Sequence, residues 1–193
     1  MEKNKMTDKI SFICIGGSAG SLQVILKIFR HIHEGFSIPI LLIIHRNNSY
    51  DSSLDELLSF KTDLQVKEVE DKDPVIPGHI YVCPADYHVL MESTHQFSLD
   101  YSEKINYSRP SIDVAFKSVA EVYQNELLAI LLSGANADGT EGLRRVKETG
   151  GKIIIQNPED AEISYMPEHA LKKIKADKIL TADELGPFIN GLC

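Results

Sequence analysis

Three nearly unbroken apolar runs divide this chain: Ile10 to Ile15, Ile38 to Ile44 and Leu127 to Leu132. Each is too short for a buried helix and ends at glycine or polar residues, so each reads as a buried strand. Leu22, Ile25, Leu26 and Phe29 then recur at helical spacing, which predicts a helix from about Ala19 to His31. Leu54, Leu57 and Leu58 mark a second helix after the second strand. Strands with no polar alternation, separated by helices, pair in parallel and are covered on both faces. The middle of the chain has a different pattern. Gln65 to Val69, His79 to Cys83, Val89 to Glu92 and Gln96 to Asp100 are short and partly alternating, with Pro74, Pro77-Gly78 and Pro84 between them. They predict strands joined by tight turns, a hairpin near Ser93 to His95, and antiparallel edge strands. The last third returns to alternation. It holds a helix Ile112 to Tyr123 capped by Ser111, a helix Gly139 to Thr149 ended by Gly150-Gly151, a strand Lys152 to Gln156, and helices Glu168 to Lys173 and Ala182 to Asn190. The fold expected is α/β: a doubly wound, mostly parallel sheet with helices on both faces and a small antiparallel edge or hairpin.

No linker divides the 193 residues, so residues 10–193 are expected to form one domain behind a flexible segment, residues 1–9. Hydrophobic residues are 43% and charged residues 25%, an ordinary globular mixture. No stretch approaches the roughly 20 apolar residues of a spanning helix, and no signal-peptide pattern precedes the first strand. The expectation is a cytoplasmic protein without stable membrane insertion. A formal net charge of -8 argues against nucleic acid as a partner. Cys14, Cys83 and Cys193 have no metal-ligand spacing, and an odd count gives no disulfide framework.

In open α/β sheets, sites form outside the carboxyl ends of the strands. The residues there are Gly16-Gly17-Ser18-Ala19-Gly20 after the first strand, His45 after the second, and Ser133 to Gly139, containing Asp138, after the third. A serine hydroxyl is a weak nucleophile until a base takes its proton. Histidine suits that task near neutrality, and a carboxylate fixes its tautomer. Gly16 to Gly20 also fits the G-x-S-x-G strand–turn–helix elbow, whose helix points free N–H groups at a developing oxyanion. The order Ser, His, Asp is not the Ser, Asp, His of the common α/β-hydrolase pattern. Each residue has a structural alternative. Ser18 could be a helix cap, His45 a strand-end loop residue, and Asp138 the start of a capping box with Glu141. Their coincidence at three strand ends favours a site.

Other features read as structure. His31 and His33 sit at a helix end, where histidine suits the dipole, and supply only two of a metal's usual three or four ligands. No metal site is expected. The acidic cluster Glu68, Glu70, Asp71 and Asp73 reads as a solvated loop. The opening turn fails G-x-G-x-x-G at its second and third glycines, and no phosphate-binding lysine follows, so a dinucleotide or nucleotide site is disfavoured.

At these residues the chain resembles the CheB-type chemotaxis receptor methylesterases, over Ile13 to Ile179. Their G-x-S-x-G-G-like turn is matched by Gly16-Gly17-Ser18-Ala19-Gly20-Ser21, and their Gln-His-Met-Pro-like segment by Ile44-His45-Arg46-Asn47. Their G-M-G-x-D-G segment is matched by Gly134-Ala135-Asn136-Ala137-Asp138-Gly139. Pro77 to Pro84 and Arg109-Pro110-Ser111-Ile112-Asp113-Val114 are similar to family segments too. The resemblance implies hydrolysis of glutamyl methyl esters on chemoreceptor helices, with deamidation of receptor glutamines in many members, and no metal or organic cofactor. It assigns Ser18 as nucleophile, His45 as general base and acid, and Asp138 as the orienting carboxylate. Ala19, Arg46 and Ala135 are candidates for oxyanion or substrate contacts, Arg46 through a substrate carboxylate. Ile44, Arg46, Asn47, Ala135 and Ser21 depart from the family pattern. Many members carry an N-terminal receiver domain, and a first strand near Ile10 leads us to expect none here. Two alternatives stand beside methylesterase: a non-catalytic module that binds receptor or signalling helices, and an esterase for another substrate.

Overall fold

The computed structural model describes residues 9–46 and 54–193. Seven strands form one sheet. In chain order they are β1 (Phe12–Gly17), β2 (Ile40–Ile44), β3 (Gln65–Glu68), β4 (His79–Val82), β7 (Leu127–Leu131), β8 (Lys152–Gln156) and β9 (Lys178–Leu180). Their spatial order is β3-β4-β2-β1-β7-β8-β9, and every pairing is parallel. The hairpin strands β5 (His88–Met91) and β6 (Phe97–Asp100) pair antiparallel in a sheet of their own.

The helices are α1 (Ser21–Phe29), α2 (Leu54–Ser59), α3 (Ile112–Tyr123), α4 (Thr140–Glu148), α5 (Tyr165–Lys173) and α6 (Ala182–Asn190). They cover both faces, as the apolar strands require. Ile13 and Ile15 of β1 point into a core closed by α1, α2 and α6. Phe12 and Cys14 point the other way, into a core closed by α3, α4, α5 and the hairpin. Val24, Ile25, Ile28 and Phe29 on α1 are all buried. Burying each such side chain is worth about 1.5–3 kcal/mol, more than the few tenths that β-branched residues cost a helix, so packing decides the element.

The expected doubly wound sheet is present, with one correction in the middle. The alternating segments at β3 and β4 are not antiparallel edge strands: β4 lies inside the parallel sheet and β3 is its parallel edge. The antiparallel pairing expected there is the separate hairpin β5–β6, turning through Glu92 to Gln96. The acidic cluster is more than a solvated loop. Asp73 pairs with Lys67 at 2.8 Å and accepts from the Glu70 N–H, while Asp71 accepts from the Leu99 N–H. These carboxylates tie β3 to the hairpin.

The chain leaves β1 for β2 on one side and returns to β7 on the other. The crevice at the carboxyl ends of these strands is the topological switch point, where α/β sheets hold their sites.

Candidate active site

β1 runs between β2 and β7, so the residues following these three strands are neighbours. Gly17 is in register with Ile44, and the His45 N–H donates to the Gly17 carbonyl at 3.1 Å. On the other side the Ser18 N–H donates to the Ser133 carbonyl at 2.9 Å. Ser18 therefore sits just past the end of the central strand, flanked by the His45 strand and by the loop carrying Asp138.

Ser18 does not cap α1. That helix begins at Ser21 and its cap residue is Gly20, with no side-chain cap bond among the described residues. Gly20 has φ 79°, a left-handed conformation that favours glycine, and an added Cβ would lie 2.7 Å from Glu162 Cβ and 2.7 Å from Ser133 Oγ. The Ser21 hydroxyl, standing where the family turn has glycine, folds back on the Ser18 carbonyl at 2.6 Å. That departure therefore tightens the turn. The Ala19 N–H has no partner among the described residues.

Asp138 is fully buried, and its carboxylate gathers donors from four segments, the most distant being the Asn106 amide at 3.5 Å from Oδ1. Oδ2 accepts from the Ile112 N–H at 2.7 Å and from His45 Nε2 at 2.8 Å. Oδ1 accepts from the Ser111 hydroxyl at 2.9 Å, the Asp113 N–H at 3.0 Å and the Gly139 N–H at 3.1 Å. The capping-box reading of Asp138 is thus corrected. α4 begins behind Gly139 without a side-chain cap, and Asp138 instead occupies the N-terminus of α3, where free N–H groups and the helix dipole favour an anion. Burial alone would raise its pKa. The His45 hydrogen bond and the Asp113 and Ile112 N–H groups outweigh that and hold it below the usual carboxylate range. Ser111 caps α3 as expected, accepting from the Val114 N–H at 3.4 Å.

The exchange is reciprocal. Asp113, in the first turn of α3, accepts from the Gly142 N–H in the first turn of α4 at 2.6 Å. An added Cβ on Gly142 would lie 2.6 Å from Phe116 Cβ and 3.1 Å from Asp113 Cα, so the two helices meet there with no spare room.

An ionised Asp138 can only accept, so the proton lies on His45 Nε2 and the Nδ1 lone pair faces the other way. The hydroxyl at Nδ1 is that of Ser108, at 3.3 Å. Asn136 Nδ2 stands 3.5 Å from Nδ1 and 3.4 Å from Ser108 Oγ, while its Oδ1 accepts from the Asp138 N–H. No hydrogen bond joins the Ser18 side chain to His45 among the described residues. The structure therefore joins His45 to Asp138, sets Ser18 at the adjacent strand end, and places Ser108, a residue the sequence reading passed over, on the histidine. Ser108 sits in a polar loop with no apolar pattern to mark it. Asn136 did carry a signal: it occupies the second glycine of G-M-G-x-D-G.

Of the flanking candidates, Arg46 is ion-paired with Glu68 and also reaches the Cys83 carbonyl at 3.4 Å. Ala19 and Ala135 are exposed at the site's edge, and Asn47 lies outside the described residues. His31 bonds to the Lys27 carbonyl at the end of α1. Among the described residues no group of three or more His, Cys, Asp or Glu is arranged to hold a metal ion, and no helix is long and apolar enough to cross a membrane.

A buried carboxylate paired with a half-buried histidine, beside a serine-bearing strand–turn–helix elbow at the switch point of a parallel sheet, is a serine-hydrolase type of arrangement. The CheB methylesterase family profile matches residues 13–189, and the chain belongs to that family of hydrolases. A relative from Leptospira interrogans is 37% identical over 173 residues, covering 90% of each chain. The protein-glutamate methylesterase/protein-glutamine glutaminase of Thermotoga maritima is 33% identical over 173 residues, covering 88% of this chain and 50% of that one. The crystal structure of the Thermotoga maritima CheB methylesterase catalytic domain matches with TM-score 0.90 at 31% identity, covering 95% of this chain and 99% of that one.

Proposed function

We propose that this protein is a protein-glutamate methylesterase that demethylates glutamyl methyl esters on chemoreceptor cytoplasmic helices, with Ser18 as nucleophile. The observation that carries it is the His45 Nε2–Asp138 Oδ2 bond of 2.8 Å next to the G-x-S-x-G elbow. Asp138 fixes the Nε2–H tautomer, so Nδ1 is the base. The Ser18 hydroxyl attacks the ester carbonyl as its proton passes to Nδ1. The oxyanion meets the Ala19 N–H and the N-terminus of α1. His45 then gives the proton to the leaving methoxide, and water hydrolyses the acyl-enzyme by the same route. Attack on a glutamine side chain would release ammonia instead, and the glutaminase half of the Thermotoga relative's name supports that second activity. Receptor helices of this kind are met in the cytoplasm, which is where we place the protein. The non-catalytic binding module is disfavoured, because a lone binding role gives no reason for a carboxylate with six donors to be spent on orienting a histidine.

One observation favours a second reading of the nucleophile: Ser108 Oγ is the hydroxyl at 3.3 Å from Nδ1. A serine-reactive phosphonate decides between them. Under our reading, peptide mapping finds the adduct on Ser18, and Ser18→Ala lowers methanol release from a methylated receptor fragment by several orders of magnitude, since the three groups act as a unit. An adduct on Ser108, or undiminished release by Ser18→Ala, would overturn the assignment.

A further inference from the structure

The net charge of -8 conceals a local inversion beside the site. His45 and Ser108 line a recess of about 210 Å³ whose charged walls are Arg46, Lys104, Arg109 and Asp86, three cations against one carboxylate. The Arg46–Glu68 pair offsets one of the three. Lys104 is exposed and has no partner among the described residues. Arg109 is aimed by its own loop. Nη1 donates to the Tyr101 and Ser102 carbonyls at 3.2 and 2.7 Å, and the guanidinium lies 3.8 Å from the centre of the Tyr101 ring. Its Nη2 has no acceptor and its buried Nε no partner among the described residues. A held, planar donor next to a free ammonium is suited to a carboxylate. The surrounding rim is apolar: Tyr107 is 97% exposed, with Tyr101 and Ile105 also exposed on the same loop.

We propose that this recess is a substrate subsite, in which Lys104 and Arg109 bind the side-chain carboxylate of an acidic residue flanking the glutamyl ester. This rests on the hydrolase reading for its location at the histidine. Catalysis acts on a neutral ester, which carries no charge for the enzyme to find. A cationic recess touching His45 supplies selectivity for esters set among carboxylates, and the exposed tyrosines contact the apolar part of the same segment.

The test uses two fluorescent peptides that differ only in having Glu or Gln on either side of a glutamyl methyl ester. Binding is read by anisotropy in the Ser18→Ala protein, so a failure of the hydrolase reading leaves this measurement intact. Two or three partly exposed charge contacts predict that the Glu peptide binds about three- to tenfold tighter, with the preference shrinking as salt is raised. Lys104→Glu should bring the ratio to one or below. Lys172→Glu, the same charge change on α5, should leave it as it was. Equal affinities for the two peptides would overturn the subsite, as would equal losses in the two lysine variants. Displacement of both peptides alike by inorganic phosphate, with no Glu preference, would reassign the recess to a phosphate. Hydrolysis is read separately in the unmodified protein. Its absence there, with the Glu preference intact, would overturn the methylesterase reading and leave the acidic-ligand subsite standing.

Discussion

The two sides of the His45 ring are built differently. On the Nε2 side, Asp138 is buried and held by five donors at 2.7–3.1 Å, three of them main-chain N–H groups at two helix N-termini. On the Nδ1 side, Ser108 and Asn136 approach at 3.3 and 3.5 Å from half-buried loop positions. Short bonds inside a low-dielectric core resist exchange, while long ones from a loop that water can reach exchange more readily. The difference fits the two tasks. Under the proposed mechanism the tautomer must not change during turnover, whereas Nδ1 must leave its resting partner to reach Ser18 and then a water.

The largest effect should come from the rigid side. Asp138→Asn puts an NH2 group where both oxygens accept, so one set of donors faces another whichever way the amide turns. His45 loses its reason to keep the proton on Nε2. Methanol release should fall about 10³–10⁴-fold, the cost found when a triad carboxylate becomes an amide. Stability should fall by about 2–4 kcal/mol, because buried N–H groups at α3 lose their acceptor. A variant as active as the parent would mean that the carboxylate does not set the tautomer.

Gly142→Ala tests whether the α3–α4 junction is what holds that side rigid. Its Cβ would meet backbone and Cβ atoms rather than the far end of a side chain, so relief requires the helices to part. We expect about 1–3 kcal/mol of destabilisation, or a Tm drop of about 4–8 °C at the middle of that range, with reduced activity at temperatures where the variant is still folded. Lost stability with full activity would separate the junction from the site.

Ser108→Ala probes the loose side. If Ser108 is only a resting partner of Nδ1, kcat/KM should change by less than about tenfold, because a long bond to a neutral hydroxyl contributes little net free energy. Ser108→Ala and Ser18→Ala losing activity equally would erase the contrast between the two sides.

The same contrast explains what the chain disclosed as a sequence. The strands β1, β2 and β7 are continuous apolar runs because they are buried on both faces, and the three residues that follow them were legible from that alone. β9 was not predicted, since Lys178–Leu180 is a three-residue edge strand with half-exposed positions and no run to mark it. Alternation in Gln65 to Val69 signalled one-sided burial, but it says nothing of strand direction, and β3 proved parallel. Asp138 was visible as a residue and not as a cap for a helix 26 residues earlier, because that bond is purely tertiary. Ser108 was invisible for a similar reason: its contact with His45 spans 63 residues of chain and exists only in the tertiary fold.

The smallest effect concerns the second buried aspartate, 25 residues before Asp138. Burial pushes Asp113 from its ordinary 3.8 up to about 6; the Asp138 charge adds to this and the Gly142 N–H opposes it. Asp138 is displaced the opposite way. A raised native pKa means that the folded protein holds the Asp113 proton more tightly than the unfolded chain. Its stabilising contribution is complete below the unfolded value and is lost as pH rises from about 4 through about 6. Asp138 behaves inversely, contributing above the unfolded value and losing that contribution on acidification. In Asp113→Asn the amide oxygen can still accept from the Gly142 N–H, but the group no longer titrates. Relative to this variant, the parent should lose stability as pH is raised from about 4 to about 6.5, read as converging or crossing urea midpoints. A midpoint difference that stays constant over that interval would show that Asp113 ionises normally. The burial at the α3–α4 junction would then not be dry enough to separate two neighbouring carboxylates.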